Sequence, residues 1–194
     1  MTPATAAAPV RLGLTAIFLA SSLVAFVVAG RADGAGRSWS AYLAPAAACR
    51  GAEDPSAATA VQRRAIACLV NWARRQDQRS SLASSATLRR AAVLKGRGLV
   101  SCGELTHAPC GSDPAATLRA AGYRYASFGE NLWAGPWGEA SARDVVAAWL
   151  QSPGHRANVL RGGFRHLGVA LVRVRGLLGD GDAAVWIAAF AAPR

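Results

Sequence analysis

The chain has 194 residues and carries 22 Lys and Arg against 11 Asp and Glu, a net charge of +11 at pH 7. That length holds one domain plus a leader, and a domain near 150 residues buries roughly two thirds of its unfolded surface. Lys95 is the one lysine, and the arginines are scattered singly or in pairs such as Arg63-Arg64, Arg74-Arg75 and Arg89-Arg90. Pairs of this kind read as solvated helix faces and disfavour a nucleic-acid partner, and zinc-finger, P-loop and GxGxxG patterns are absent.

Along the chain, Arg11 precedes an uncharged, mostly apolar run from Leu12 to Gly30. It is a signal peptide with Val27-Val28-Ala29 at its cleavage site, or an N-terminal membrane anchor just long enough to span a bilayer. Either way residues 1–30 export the rest of the chain, to the outside or to the outer face of the cytoplasmic membrane, and the membrane is a partner only through this segment. Residues 31–48, rich in Gly, Ala and Ser, read as a linker, and residues 49–194 as the folded domain. After Asp54-Pro55-Ser56, the residues Val61, Ala65, Cys68, Leu69 and Trp72 recur at helical spacing. A second helix starts near Ser84 or Ser85, places Leu88, Ala91, Ala92 and Lys95 on one face, and fades at Gly96 to Gly98.

A loop, SCGELTHAPCGSDP, holds His107 between Cys102 and Cys110. Asp113-Pro114 starts a short helix that Gly122 stops. Tyr123 to Trp133 is aromatic and begins extended. SARDVVAAWLQ is helical, with Val145, Val146 and Trp149 on its apolar side. Ser152-Pro153-Gly154 then breaks the chain before His155, and HRANVL adds a turn or two. Leu167 to Val174 and Ala184 to Phe190 are strand-like, with a loop containing GDGD between them. Helices first and paired strands last predict an α+β fold, helices packed on an antiparallel sheet. The four cysteines lie in no CxxC pattern, and an even number in an exported chain reads as two disulfides. Of three connectivities, the short-range Cys49–Cys68 and Cys102–Cys110 are the simplest.

The ordered set LVN, H-x-x-PCG, GEN, W-x-x-SPGHRAN and LGVAL resembles the bacterial branch of the CAP superfamily, which includes cysteine-rich secretory proteins, antigen-5 and plant pathogenesis-related-1 proteins. The resemblance runs from about Cys49 to Phe190. It implies an α-β-α sandwich with a mostly antiparallel sheet and a central cavity. Carried over residue by residue, that cavity is lined by His107, by Glu130 of the GEN motif, and by His155. A second family glutamate, expected three residues after Trp149, is replaced by Ser152, and Ala188 stands where relatives often carry Gln.

Two neutral imidazoles and a carboxylate make a candidate divalent-metal site, zinc above all, with His107 and His155 as ligands and Glu130 as a third ligand or as a partner behind them. The same three residues make an acid/base set without a metal. The family favours an exported, non-enzymatic module binding a small ligand, lipid or cell-envelope component. The alternatives are a metal-dependent or acid/base hydrolase, protease-like, weakened by the missing second acid, and a basic envelope-adhesion protein. His166 reads as surface decoration, Glu104 and Glu139 as solvated loop or cap residues, and Asp180-Gly181-Asp182 as a hairpin turn. Asn131 reads as a residue that fixes its loop by backbone hydrogen bonds. No GxSxG elbow is present.

Overall fold

The computed structural model describes residues 37–194. The expected signal peptide or anchor lies outside the described residues, as does the first part of the expected linker. The remainder of that linker is folded: Trp39–Tyr42 and Ala46–Ala48 form short 3-10 turns, and Tyr42 and Ala44 are buried in the core.

Five α-helices, four strands and a 3-10 turn at Pro109–Gly111 are the other elements of the described residues: α1 (Thr59–Gln76), β1 (Ala83–Ser84), α2 (Ala86–Cys102), α3 (Ala116–Ala120), β2 (Tyr125–Pro136), α4 (Ala142–Gln151), α5 (Pro153–Leu160), β3 (His166–Arg175) and β4 (Asp182–Pro193). The strands form one sheet in the order β1-β3-β4-β2. Its long pairings, β2 with β4 and β3 with β4, are antiparallel, but the two-residue β1 runs parallel to β3, so the sheet is mixed rather than mostly antiparallel. β1 comes from the connection between α1 and α2, an element too short to leave a period in the sequence.

Period-2 alternation in β4 organises the layers. Trp186, Ala188 and Phe190 join a core with α1, α4 and α5, while Val185, Ile187, Ala189 and Ala191 join a core with α2 and α3. This is the α-β-α sandwich that the resemblance implied. Both short-range disulfides are present, Cys49–Cys68 and Cys102–Cys110.

Three element ends differ from the sequence reading. α1 starts at Thr59, because Asp54 closes its own turn by accepting from the Ser56 N–H at 2.8 Å. α2 does not fade at Gly96 but continues to Cys102, where Gly103 (φ 65°) ends it in the left-handed conformation. Gly96 is a packing residue: a Cβ there would stand 2.6 Å from Cγ1 of Val172 on β3. Finally, Pro153 and Gly154 open α5 instead of forming a loop, since a proline at the first helical position gives up an N–H that has no partner there.

Gly168 on β3 is the tightest approach of helix to sheet. A Cβ there would lie 2.2 Å from the backbone carbon of Leu88 and 2.3 Å from the Arg89 nitrogen, and backbone cannot rotate away. Gly168→Ala is expected to cost about 2 kcal/mol or more through overpacking. Denaturant unfolding at pH 7 checks this, with Gly163→Ala as a comparison, because nothing lies near that position.

Candidate functional site

Each residue of the Gly129-Glu130-Asn131 motif has a separate task set by the alternation of β2, an edge strand of the sheet. Gly129 lets α5 close on the strand: a Cβ there would meet Asn158 Oδ1 at 2.6 Å. Asn131, fully buried, donates to the backbone carbonyl of His155 at 3.0 Å, and its own Oδ1 accepts from Asn158 Nδ2 at 2.9 Å. Asn158 Nδ2 also donates to the Glu130 carbonyl at 3.1 Å. Thus Asn131 does fix local geometry, by gripping the first turn of α5. The far end of α5 is held by Arg74, a fully buried residue of α1. It donates to the carbonyls of Val159 at 2.8 Å and Arg161 at 3.0 Å.

Glu130 points to the opposite layer, toward α2. Its Oε1 lies 2.8 Å from His107 Nδ1 and 3.4 Å from Lys95 Nζ. Lys95 is 1% exposed and also donates to the His107 carbonyl, so one buried ammonium binds both the carboxylate and the histidine loop. The loop is further tied by the Cys102–Cys110 bridge and by Glu104, whose carboxylate accepts from the Cys110 N–H at 3.0 Å. His107 itself keeps an exposed ring, with 52% of its side chain accessible.

The structure therefore brings His107 and Glu130 into contact and holds His155 nearby from the other side of β2. His155 is half-buried, and desolvation first, then the charge of His107, push its pKa below the ordinary 6.5. Lys95 is the site residue that the sequence reading passed over. Its signal was there: the one lysine of the chain, on the same helix face as Leu88, Ala91 and Ala92.

A zinc centre at His107, Glu130 and His155 needs three donors to converge. Among the described residues no group of three His, Cys, Asp or Glu side chains is placed to hold a metal ion. Glu130 already faces the Lys95 ammonium, and a fixed cation beside a ligand repels a dication. The residues present do not fit a three-ligand zinc site. His166 is also not surface decoration, since its Nδ1 lies 2.6 Å from the Tyr123 hydroxyl and the rings meet edge to face. Asp182 begins β4 and pairs with Arg173 and Arg175 across the hairpin.

A sandwich with this edge-strand motif, a paired His107 and Glu130, and a disulfide-closed histidine loop is the architecture that family comparison recovers. The chain belongs to the CAP family, the cysteine-rich secretory protein family, whose model matches residues 68–190. It is 29% identical over 119 residues to the uncharacterized protein YkwD of Bacillus subtilis, an alignment covering 61% of this chain and 45% of that protein. The matched part thus spans less than half of that relative. Among solved structures, an outer surface protein of Borrelia burgdorferi superposes with a TM-score of 0.61 at 18% identity, covering 71% of this chain and 97% of the other. An extracellular protein containing an SCP domain from Bacillus anthracis gives 0.56 at 21% identity, covering 68% of this chain and 40% of that one. A cysteine-rich secretory protein from Staphylococcus aureus gives 0.53 at 15%, over 71% of this chain and 40% of its own. At these identities the structures establish the fold.

The site generates two expectations. Lys95→Met leaves the Glu130 carboxylate, 9% exposed, without its cation, and is expected to cost about 3 kcal/mol. Adding Glu130→Gln to it restores part of the loss in chemical denaturation. For His155, the folded protein binds the proton less readily than the unfolded chain, so its contribution is complete above about pH 6.5 and lost as pH falls below it. NMR titration should find the His155 ring titrating below 6.5, and His107→Gln should move it back up.

Proposed function

We propose that this chain is an exported binding module whose ligand is a neutral, polar component of the cell envelope, seated against His107 and His155. One observation carries the reading: the Glu130 carboxylate is already engaged, by Lys95 on one side and His107 on the other. A carboxylate held by a fixed buried cation is a structural group rather than a free base or a metal ligand. With Ser152 in place of a second acid, no other carboxylate takes up that role. The half-exposed His107 ring, and a His155 ring that burial keeps neutral at pH 7, offer ring nitrogens to hydroxyl and amide groups.

Export is supported by the apolar N-terminal run, by the two disulfides, which persist in oxidising compartments, and by two structural neighbours, one an extracellular protein and the other an outer surface protein.

The test is an NMR titration of the protein with a panel of N-acetylated amino sugars and short envelope-type peptides, following the histidine rings. The His107 and His155 signals should shift together with at least one compound, the shift should vanish in His107→Ala, and no cleaved product should accumulate. Turnover by the wild type that Glu130→Gln abolishes would establish a hydrolase instead. Zinc shifting both rings at stoichiometric concentration would reinstate a metal centre.

A further inference from the structure

Arg63, Arg64 and Arg89 fall on the sequence as parts of two solvated pairs, but the fold gathers them around one recess. β1 ends at Ser84, and beyond Leu167 the edge of β3 has no neighbouring strand. A groove of about 500 Å3 opens there. α1 supplies Arg63 and Arg64 to its wall, and the first turn of α2 supplies Arg89, while Leu167 and Val169 give it an apolar floor. The groove is at the β1 edge of the sheet, away from β2 and Glu130.

The electrostatics of this recess are uncompensated. Among the described residues that line it, none is acidic. Among the described residues Arg79, Arg119, Arg143, Arg173 and Arg175 pair with carboxylates; Arg63, Arg64 and Arg89 form no salt bridge, and differ from other unpaired arginines such as Arg97 in sharing one groove. Burial, then the charges of Arg89 and Arg64, disfavour the charged form of Arg63. The first turn of α2 carries no acid either, so Arg89 stands against the positive end of its own helix. An anion in the groove would relieve all of these repulsions together.

Guanidinium groups converging from two helices favour a multivalent oxyanion. Each guanidinium presents a planar fork of donors, and a phosphate offers at least three acceptor oxygens and up to two charges, where a carboxylate offers two oxygens in one plane and a single charge. The groove volume is that of a small-ligand site. We propose that this groove binds a phosphate group carried on a small soluble ligand, whose remaining part covers Leu167 and Val169. The proposal stands apart from the reading of the His107 site and does not depend on it.

Calorimetric titration of the purified full chain with glycerol 3-phosphate tests it, with acetate, glycerol and phosphatidylglycerol vesicles as comparison probes. Wild type should bind glycerol 3-phosphate, acetate far more weakly, and glycerol not at all. Arg63→Gln combined with Arg89→Gln should weaken binding at least about tenfold, the loss expected for charge-assisted hydrogen bonds. A charge-matched Arg97→Gln and Arg124→Gln variant, altered at two exposed sites, should stay within about twofold, because exposed distant charges are screened. Melting curves confirm that each variant is folded, and the single Arg89→Gln serves if the double is not. Equal weakening in both double variants would reduce the effect to net charge and overturn the site. Acetate binding as tightly as glycerol 3-phosphate overturns the phosphate assignment, and vesicle binding without glycerol 3-phosphate binding overturns the soluble ligand.

Discussion

Burial of β4 on both faces is the constraint on which the rest of the structure depends. From Ala183 to Ala191 every side chain is buried, and the alternation of large and small residues differs between the faces. Trp186 and Phe190 meet α1 and α4, while the α2 face presents Val185, Ile187, Ala189 and Ala191. On that second face α2 approaches until its closest contacts with β3 admit only glycine, Gly168 on the strand and Gly96 on the helix. A strand clad on both sides this closely cannot slip in register without exposing one core and overpacking the other. The register of β2 is fixed in turn, because Glu130 pairs with Ala189 and Asn131 with Ala188.

That register explains how the family residues are divided between two layers here. Successive residues of a strand face opposite layers, so Glu130 is committed to α2 and Asn131 to α5. Lys95 then turns the Glu130 side into a closed ion pair with one buried charge answering another, and Asn131 takes the α5 side by gripping the backbone that carries His155. The two rings thus come from segments that are held separately.

The helices, the two disulfides and the residues of the site were legible in the sequence because each leaves a local signature: a 3.6-residue period, an even cysteine count, an ordered set of short motifs. The features without such a signature are non-local. Gly96 looks like a helix breaker until Val172, distant in sequence, is seen against it. β1 is two residues long and exists because β3 offers it an edge. Lys95 reads as a helix-face lysine, and only the approach of β2 and the histidine loop shows why an ammonium is buried there. The same reason hid the order in residues 39–48, whose composition suits a linker but whose Tyr42 and Ala44 find a core to enter.

The placement of charge extends this logic from the site to the whole domain. Composition records an excess of arginine and leaves open whether it is a diffuse field or a set of built positions. In the fold the arginines separate by the partner each has found. Arg74 is fully buried without a carboxylate, and backbone carbonyls at α5 and the segment after it solvate its guanidinium in place of water. Arg119, Arg143 and Arg173 pair with acids near the surface, contacts that are each worth little because water and salt screen them. Arg63, Arg64 and Arg89 have neither solution, although two helices were free to present other residues at the same recess. Other arginines, Arg97 and Arg124 among them, also lack a carboxylate, but these three share one groove with no acid among its described lining residues. The proposed phosphate ligand would bring to such a cluster the counter-charge that its described lining does not supply.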